Sequence, residues 1–177
     1  MGGGEVARYL GKYGTDCIAK AAFLAAIPPF LVKTPDNPEG VDKSIFDGIA
    51  QGIVADRPAF LKQFLANFYN VDVLGGKLIS DSAVQASWNI AVGASPKGTL
   101  DCVNSWQIDF RNDLKSITIP TLVVHGNADR ILPLEATGTR TASFVKGSSL
   151  VVIDGGPHGL NWTHAEQVNQ ALLAFLQ

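Results

Sequence analysis

The chain has 177 residues, of which 46% are hydrophobic and 17% charged, with a formal net charge of -2. That length supports one domain with a sizeable core, and so small a charge bias argues against nucleic acid as a partner, because phosphate binding needs a clustered basic surface. No apolar run approaches the roughly 18–20 uncharged residues of a membrane span, since the longest, Ala21 to Val32, is broken by Pro28 and Pro29.

Val6, Tyr9, Leu10 and Tyr13 recur at helical spacing, and Gly14 is a stop signal, so a first helix is expected after the opening glycines. Ile18 to Ala26 is a short apolar run ending at Ile27-Pro28-Pro29; its length and its prolines favour a buried strand. Pro35 to Gly40 is loop by every turn signal. Ile45, Phe46, Ile49 and Ile53 then mark one helix. Phe60, Leu61, Phe64, Leu65 and Phe68 mark a second, with Pro58 near its first turn. Ser82 to Val92 and Thr99 to Trp106 read as two more, and strand patterns are absent from Val41 to Leu114.

Strand character returns at Ile119 to Gly126 and again at Ser149 to Gly155. Both are continuous apolar runs, which predicts strands covered on both faces in a parallel sheet. Helical segments lie around Glu135 to Val145 and from Ala165 to Leu176. This order indicates an α/β fold with three parallel strands, flanking helices and a helical insertion. The chain divides accordingly into a first helix and strand (residues 1–40), a helical lid (41–114) and a returning core (115–177). Cys17 and Cys102 have no metal-ligand spacing and fall in segments that read as regular structure. Two buried free thiols are therefore expected, and they fit the cytoplasm, as does an N-terminus without a basic and then apolar signal peptide.

In a parallel sheet, reactive groups collect at the C-terminal ends of strands. One such end carries His125-Gly126-Asn127-Ala128-Asp129-Arg130-Ile131-Leu132-Pro133, and the next carries Asp154-Gly155-Gly156-Pro157-His158-Gly159-Leu160. An acid followed by a histidine on successive strand-end loops is the order of the α/β-hydrolases, in which the histidine moves the nucleophile's proton and the carboxylate orients the histidine. Asp129 and His158 are the candidates.

Those two stretches, together with Met1-Gly2-Gly3-Gly4-Glu5-Val6-Ala7-Arg8-Tyr9 and the Trp106 to Leu114 segment, resemble the non-haem haloperoxidase, arylesterase and perhydrolase branch of the α/β-hydrolases across essentially the whole chain. The resemblance implies the C-terminal part of that fold. The family's elbow reads Gly-x-Ser-Met-Gly-Gly, so Met1 would follow the serine directly and its amide would serve the oxyanion hole. The chain is then expected to lack its nucleophile and to be inactive alone. It would need a missing N-terminal half, or self-associate through the strand edge left open. The implied substrates are small esters or other acyl compounds, attacked without cofactor or metal, and the acyl-enzyme is resolved by water or hydrogen peroxide. The alternatives are half of a split enzyme completed in trans, or a non-catalytic binding module.

Blander roles compete for each residue. Asp129 could be a turn or capping aspartate before Ile131-Leu132-Pro133. His125, ending a strand, reads as a structural residue bonded to nearby backbone, and His164 as a surface residue opening the last helix. Ser95 has Gly93 before it but Lys97 two places after, so it does not sit in an elbow. The phenylalanines at 60, 64 and 68 read as lid core, while Phe30 or Trp88 are candidates to line an acyl pocket.

Overall fold

In the computed structural model, which describes all 177 residues, α1 (Gly2–Tyr13) leads into β1 (Ala21–Leu24). A helical stretch follows: α2 (Lys43–Phe68), α3 (Val71–Leu74), α4 (Asp81–Gly93), α5 (Pro96–Ser105) and α6 (Arg111–Lys115). The chain then forms β2 (Thr121–Gly126), α7 (Gly138–Phe144), β3 (Ser149–Ile153), α8 (Leu160–Thr163) and α9 (Ala165–Leu176). The three strands are parallel in the order β1-β2-β3, with Ala21 opposite Thr121 and Leu122 opposite Ser149. Parallel neighbours need crossovers, which here carry α2 to α6 and then α7.

β2 is the spine of the sheet, and every one of its residues is buried. Val123 packs with Phe23 into the main core, which also takes in Leu10, Leu114 and Val145. Leu122 and Val124 point to the other face, against Ile153, Leu160 and Val168. The apolar run of β3 led to the same expectation, but β3 ends the sheet and Val152 within it is 44% exposed. Run length alone does not tell an edge strand from a central one. The opposite edge is open too. Ala21 N–H donates to Pro120 O and Ala25 N–H to Val124 O, so the alternation of a parallel ladder turns the N–H groups of Ala22 and Leu24 away from β2, where no strand meets them.

α1 keeps only half of its expected apolar stripe in the core: Leu10 is buried and Val6 packs against the same cluster. Its buried face is Gly4, Ala7 and Leu10, whereas Tyr9 and Tyr13 are 50% and 66% exposed. The helix sits down through its small residues because there is no room for more. A Cβ on Gly3 would lie 2.4 Å from Ala26 Cβ, and one on Gly4 would lie 2.6 Å from the Phe110 ring. That contact fixes the start of α1 beside the chain leaving β1.

α2 runs through a break at Asp56 (φ -155°, ψ 86°), where the carboxylate accepts from Ala59 N at 3.0 Å. The two helices legible from the phenylalanine and isoleucine spacing are thus separate pieces with a capped junction, and Pro58 sits in the first turn of the second piece. Neither cysteine is buried as expected. Cys17 lies exposed in the turn after α1 and Cys102 is half-buried on α5, and both are unpaired. No helix is long and apolar enough to cross a membrane.

Candidate active site

The loops after β2 and β3 are drawn together at the carboxyl end of the sheet. Asn127 N–H donates to Ile153 O at 3.2 Å and Ala128 N–H to Gly156 O at 3.1 Å. The Asn127 side chain adds a second tie, donating to Asp154 Oδ1 at 2.9 Å and accepting from Gly155 N at 2.8 Å. The result is contact between Asp129 and His158, 29 residues apart, with His158 Nδ1 2.8 Å from Asp129 Oδ2.

Asp129 is 6% exposed and uses both oxygens. Oδ1 accepts from the backbone amides of Ile131 and Leu132, each at 2.8 Å. Oδ2 accepts from His158. The turn-forming role and the pairing role, which compete in the sequence, are therefore both filled by one carboxylate. Because Oδ2 can only accept, His158 carries its proton on Nδ1. Its Nε2, which has no partner within the chain, is left as a base. Burial disfavours the Asp129 charge, but hydrogen bonds from His125 and His158, the His158 charge and the Leu132 amide outweigh it and hold the carboxyl down at about 2.

That depression has a measurable consequence. A carboxyl whose folded pKa falls from 3.8 to about 2 stabilises the fold above pH 3.8 and loses that contribution as pH falls through 2, an effect of about 2 kcal/mol. Urea unfolding of the chain and its Asp129→Leu variant should show a gap narrowing by about that amount between about pH 5 and pH 2. An unchanged gap would mean that folding leaves the Asp129 pKa where it stands in the unfolded chain.

His125 is fully buried at the end of β2. Its Nε2 donates to Leu132 O at 2.8 Å and lies 3.2 Å from Asp129 Oδ2. Both neighbours are acceptors, so the proton sits on Nε2, and Nδ1 is buried with no partner. His125 is the backbone-bonded structural residue its position suggested, with an added contact to the acid. His164 caps α9 and is half-buried, with Nδ1 2.8 Å from Thr163 Oγ1. Burial lowers its pKa, opposed by the charge of Asp154.

Met1 precedes α1, and its carbonyl accepts from Gly4 N at 2.8 Å. It stands at the same end of the sheet as the acid and the histidine, since Gly3 abuts Ala26 just past β1, but it makes no hydrogen bond to either. Ser95 caps α5, accepting from Gly98 N at 3.1 Å. Phe30 lies under the Arg111 guanidinium, 5.0 Å from its ring centre, and Trp88 donates to Pro58 O at 3.0 Å.

A second feature is almost invisible in the sequence. The corner between α2 and α3 reaches both loops. The Phe68 ring meets His158 edge-on at 4.9 Å, and Phe68 O accepts from Gly159 N at 2.8 Å. Asn70 Nδ2 donates to Ala128 O at 2.8 Å, and Asp72 takes both ends of the Arg130 guanidinium at 2.7 and 3.1 Å. The only trace in the sequence is an asparagine, a residue type that tolerates left-handed backbone.

Comparison with known proteins places this geometry in a lineage. Residues 1–165 match the family model described as the alpha/beta hydrolase fold. A protein of Synechocystis sp. that carries the name of a non-heme chloroperoxidase is 62% identical over 177 residues, covering 100% of this chain and 64% of the relative. The bifunctional esterase/perhydrolase DCH of Acinetobacter calcoaceticus is 37% identical over 99% of this chain and 64% of its own length. The crystal structure of bromoperoxidase from Bacillus anthracis superposes with a TM-score of 0.94 at 47% identity, again over 99% of this chain and 64% of that one. The chain thus spans a little under two thirds of the relatives it matches. With three parallel strands, flanking helices and this family match over most of its length, the chain belongs to the α/β-hydrolases.

Proposed function

We propose that this chain supplies the acid and the base of a serine hydrolase acting on small esters, with the nucleophile donated from outside the chain. The observation that carries the reading is the 2.8 Å contact of Asp129 Oδ2 with His158 Nδ1, which leaves Nε2 unpartnered at the carboxyl end of a parallel sheet. In the complete site a serine attacks the ester carbonyl. His158 Nε2 takes the serine proton and returns it to the departing alcohol, while Asp129 keeps the imidazole in that tautomer and stabilises its charged form. The Met1 amide, at the start of α1, is one of the donors for the oxyanion. Water then releases the acid, or hydrogen peroxide releases a peracid; neither step calls for a cofactor. The esterase and perhydrolase names of the relatives support this substrate class.

The open edge of β1 is the place for a further parallel strand from the polypeptide that brings the serine; left bare, it invites pairing with a second copy of the chain. Two unpaired thiols fit a reducing cytoplasm.

The test is hydrolysis of p-nitrophenyl acetate by three proteins. These are the chain, its His158→Ala variant, and the chain fused behind the part of the Synechocystis relative that it does not match. The chain alone should not exceed the variant, and the fusion should turn over in a His158-dependent way. His158-dependent turnover by the chain alone would place the nucleophile within it. An inactive but folded fusion would remove the hydrolase reading.

A further inference from the structure

Asn70 adopts a left-handed backbone (φ 49°, ψ 51°) between α2 and α3 and is 3% exposed. A glycine would make that turn without the steric penalty that any Cβ brings. Asn70 adds a second cost, because its Oδ1 is buried without a partner. What a glycine could not supply is the amide hydrogen bond from Nδ2 to Ala128 O at 2.8 Å. Ala128 directly precedes Asp129. The contacts on either side of Asn70 follow the same pattern: Phe68 O holds Gly159, the residue after His158, and Asp72 holds Arg130, the residue after Asp129. Three residues of the corner, Phe68, Asn70 and Asp72, thus grip the chain beside both members of the pair.

We propose that Asn70 is a positioning residue whose side-chain amide locks the lid corner onto the acid loop and thereby holds Asp129 in reach of His158. The helical insertion on this view does more than cover a substrate, because its corner sets the distance between acid and base. The assignment rests on the hydrolase reading for its purpose but not for its test. Asp72 and Arg130 are exposed and salt-screened, so their pair adds little rigidity by itself. The buried Asn70 bond is the stronger tie.

Two variants separate the donor from the turn. Asn70→Asp keeps size and left-handed tolerance but offers Ala128 O only an acceptor. Asn70→Gly keeps the turn with no side chain at all. Hydrogen exchange read by mass spectrometry should show amides of residues 127–132 and 156–160 exchanging roughly tenfold faster in both variants, as loss of one buried hydrogen bond allows. Amides of β2 and α9 should stay as they are. In the chain with ¹⁵N-labelled histidine, which has only 3 to resolve, the deshielded Nδ1 proton of His158 should broaden or vanish in both variants. Asn70→Gly behaving as the unchanged chain in both readouts would reduce Asn70 to a turn residue and overturn the proposal. Acceleration of every amide together in both variants would also overturn it, since it would show a global loss. Neither readout needs ester turnover. Absence of the His158 proton in the unaltered chain would count against the acid–histidine pair itself.

Discussion

Asp129→Asn should lower ester turnover about 10⁴-fold in the fusion that carries a serine, with little change in substrate binding. The reason lies in which atoms can donate. In the native loop, Oδ1 is occupied by the amides of Ile131 and Leu132. An asparagine must therefore place its own oxygen there, since the amides need an acceptor. Its NH₂ group then takes the Oδ2 position, 2.8 Å from His158 Nδ1 and 3.2 Å from His125 Nε2. A donor in that place forces His158 to accept on Nδ1 and to carry its proton on Nε2. The nitrogen that should take the serine proton is then already protonated. The same NH₂ faces the Nε2–H of His125, so the variant should also lose stability, by about 1–3 kcal/mol for a buried donor left without an acceptor. The kinetic and stability losses are separable by measuring turnover well below the melting temperature. Turnover within tenfold of the unaltered fusion would show that Asp129 does not set the His158 tautomer.

The parts of this arrangement that the sequence discloses are those written in local chemistry. The apolar run from Ile119 to Gly126 reads as a strand covered on both faces, and β2 within it is fully buried; the Gly-rich stretch that follows the third strand marks where the chain must turn tightly. Asp129 and His158 stand out because an acid and a histidine on consecutive strand ends have few bland explanations as a pair. What stayed hidden depends on neighbours that no residue pattern names. Val152 looks as buried as Val124, and only its place in the strand order exposes it. Tyr9 and Tyr13 follow helical spacing, yet α1 turns them outward and buries Gly4, since the Phe110 ring leaves space there for nothing larger. Asn70 is 58 residues from its partner Ala128, and such a contact leaves no local periodicity to read.

Gly126→Ala should cost about 4 kcal/mol or more, beyond the range of most single substitutions. Gly126 is the last residue of β2 and is the point at which the histidine loop crosses over the acid loop. A Cβ there would lie 2.0 Å from Gly156 O, 2.4 Å from its carbonyl carbon and 2.9 Å from its Cα. All three atoms are backbone, so no side-chain rotation relieves the clash. Gly156 cannot retreat cheaply either, because its N–H donates to Ile153 O at 3.1 Å and its O accepts from Ala128 N at 3.1 Å. Moving it would lift the histidine loop off the sheet and pull His158 away from Asp129. A domain at the low end of ordinary stability, about 5 kcal/mol, would be left with only about 1 kcal/mol by such a change. Gly48→Ala is the control: it lies exposed within α2, nothing stands within 4 Å of its added Cβ, and it should stabilise the chain by about 0.5–1 kcal/mol. Thermal melts of the two variants should therefore move in opposite directions. If Gly126→Ala melts within a few degrees of the unaltered chain, the two loops do not cross in van der Waals contact. The hydrogen bond between Asp129 and His158, which depends on that crossing, would then lose its structural basis.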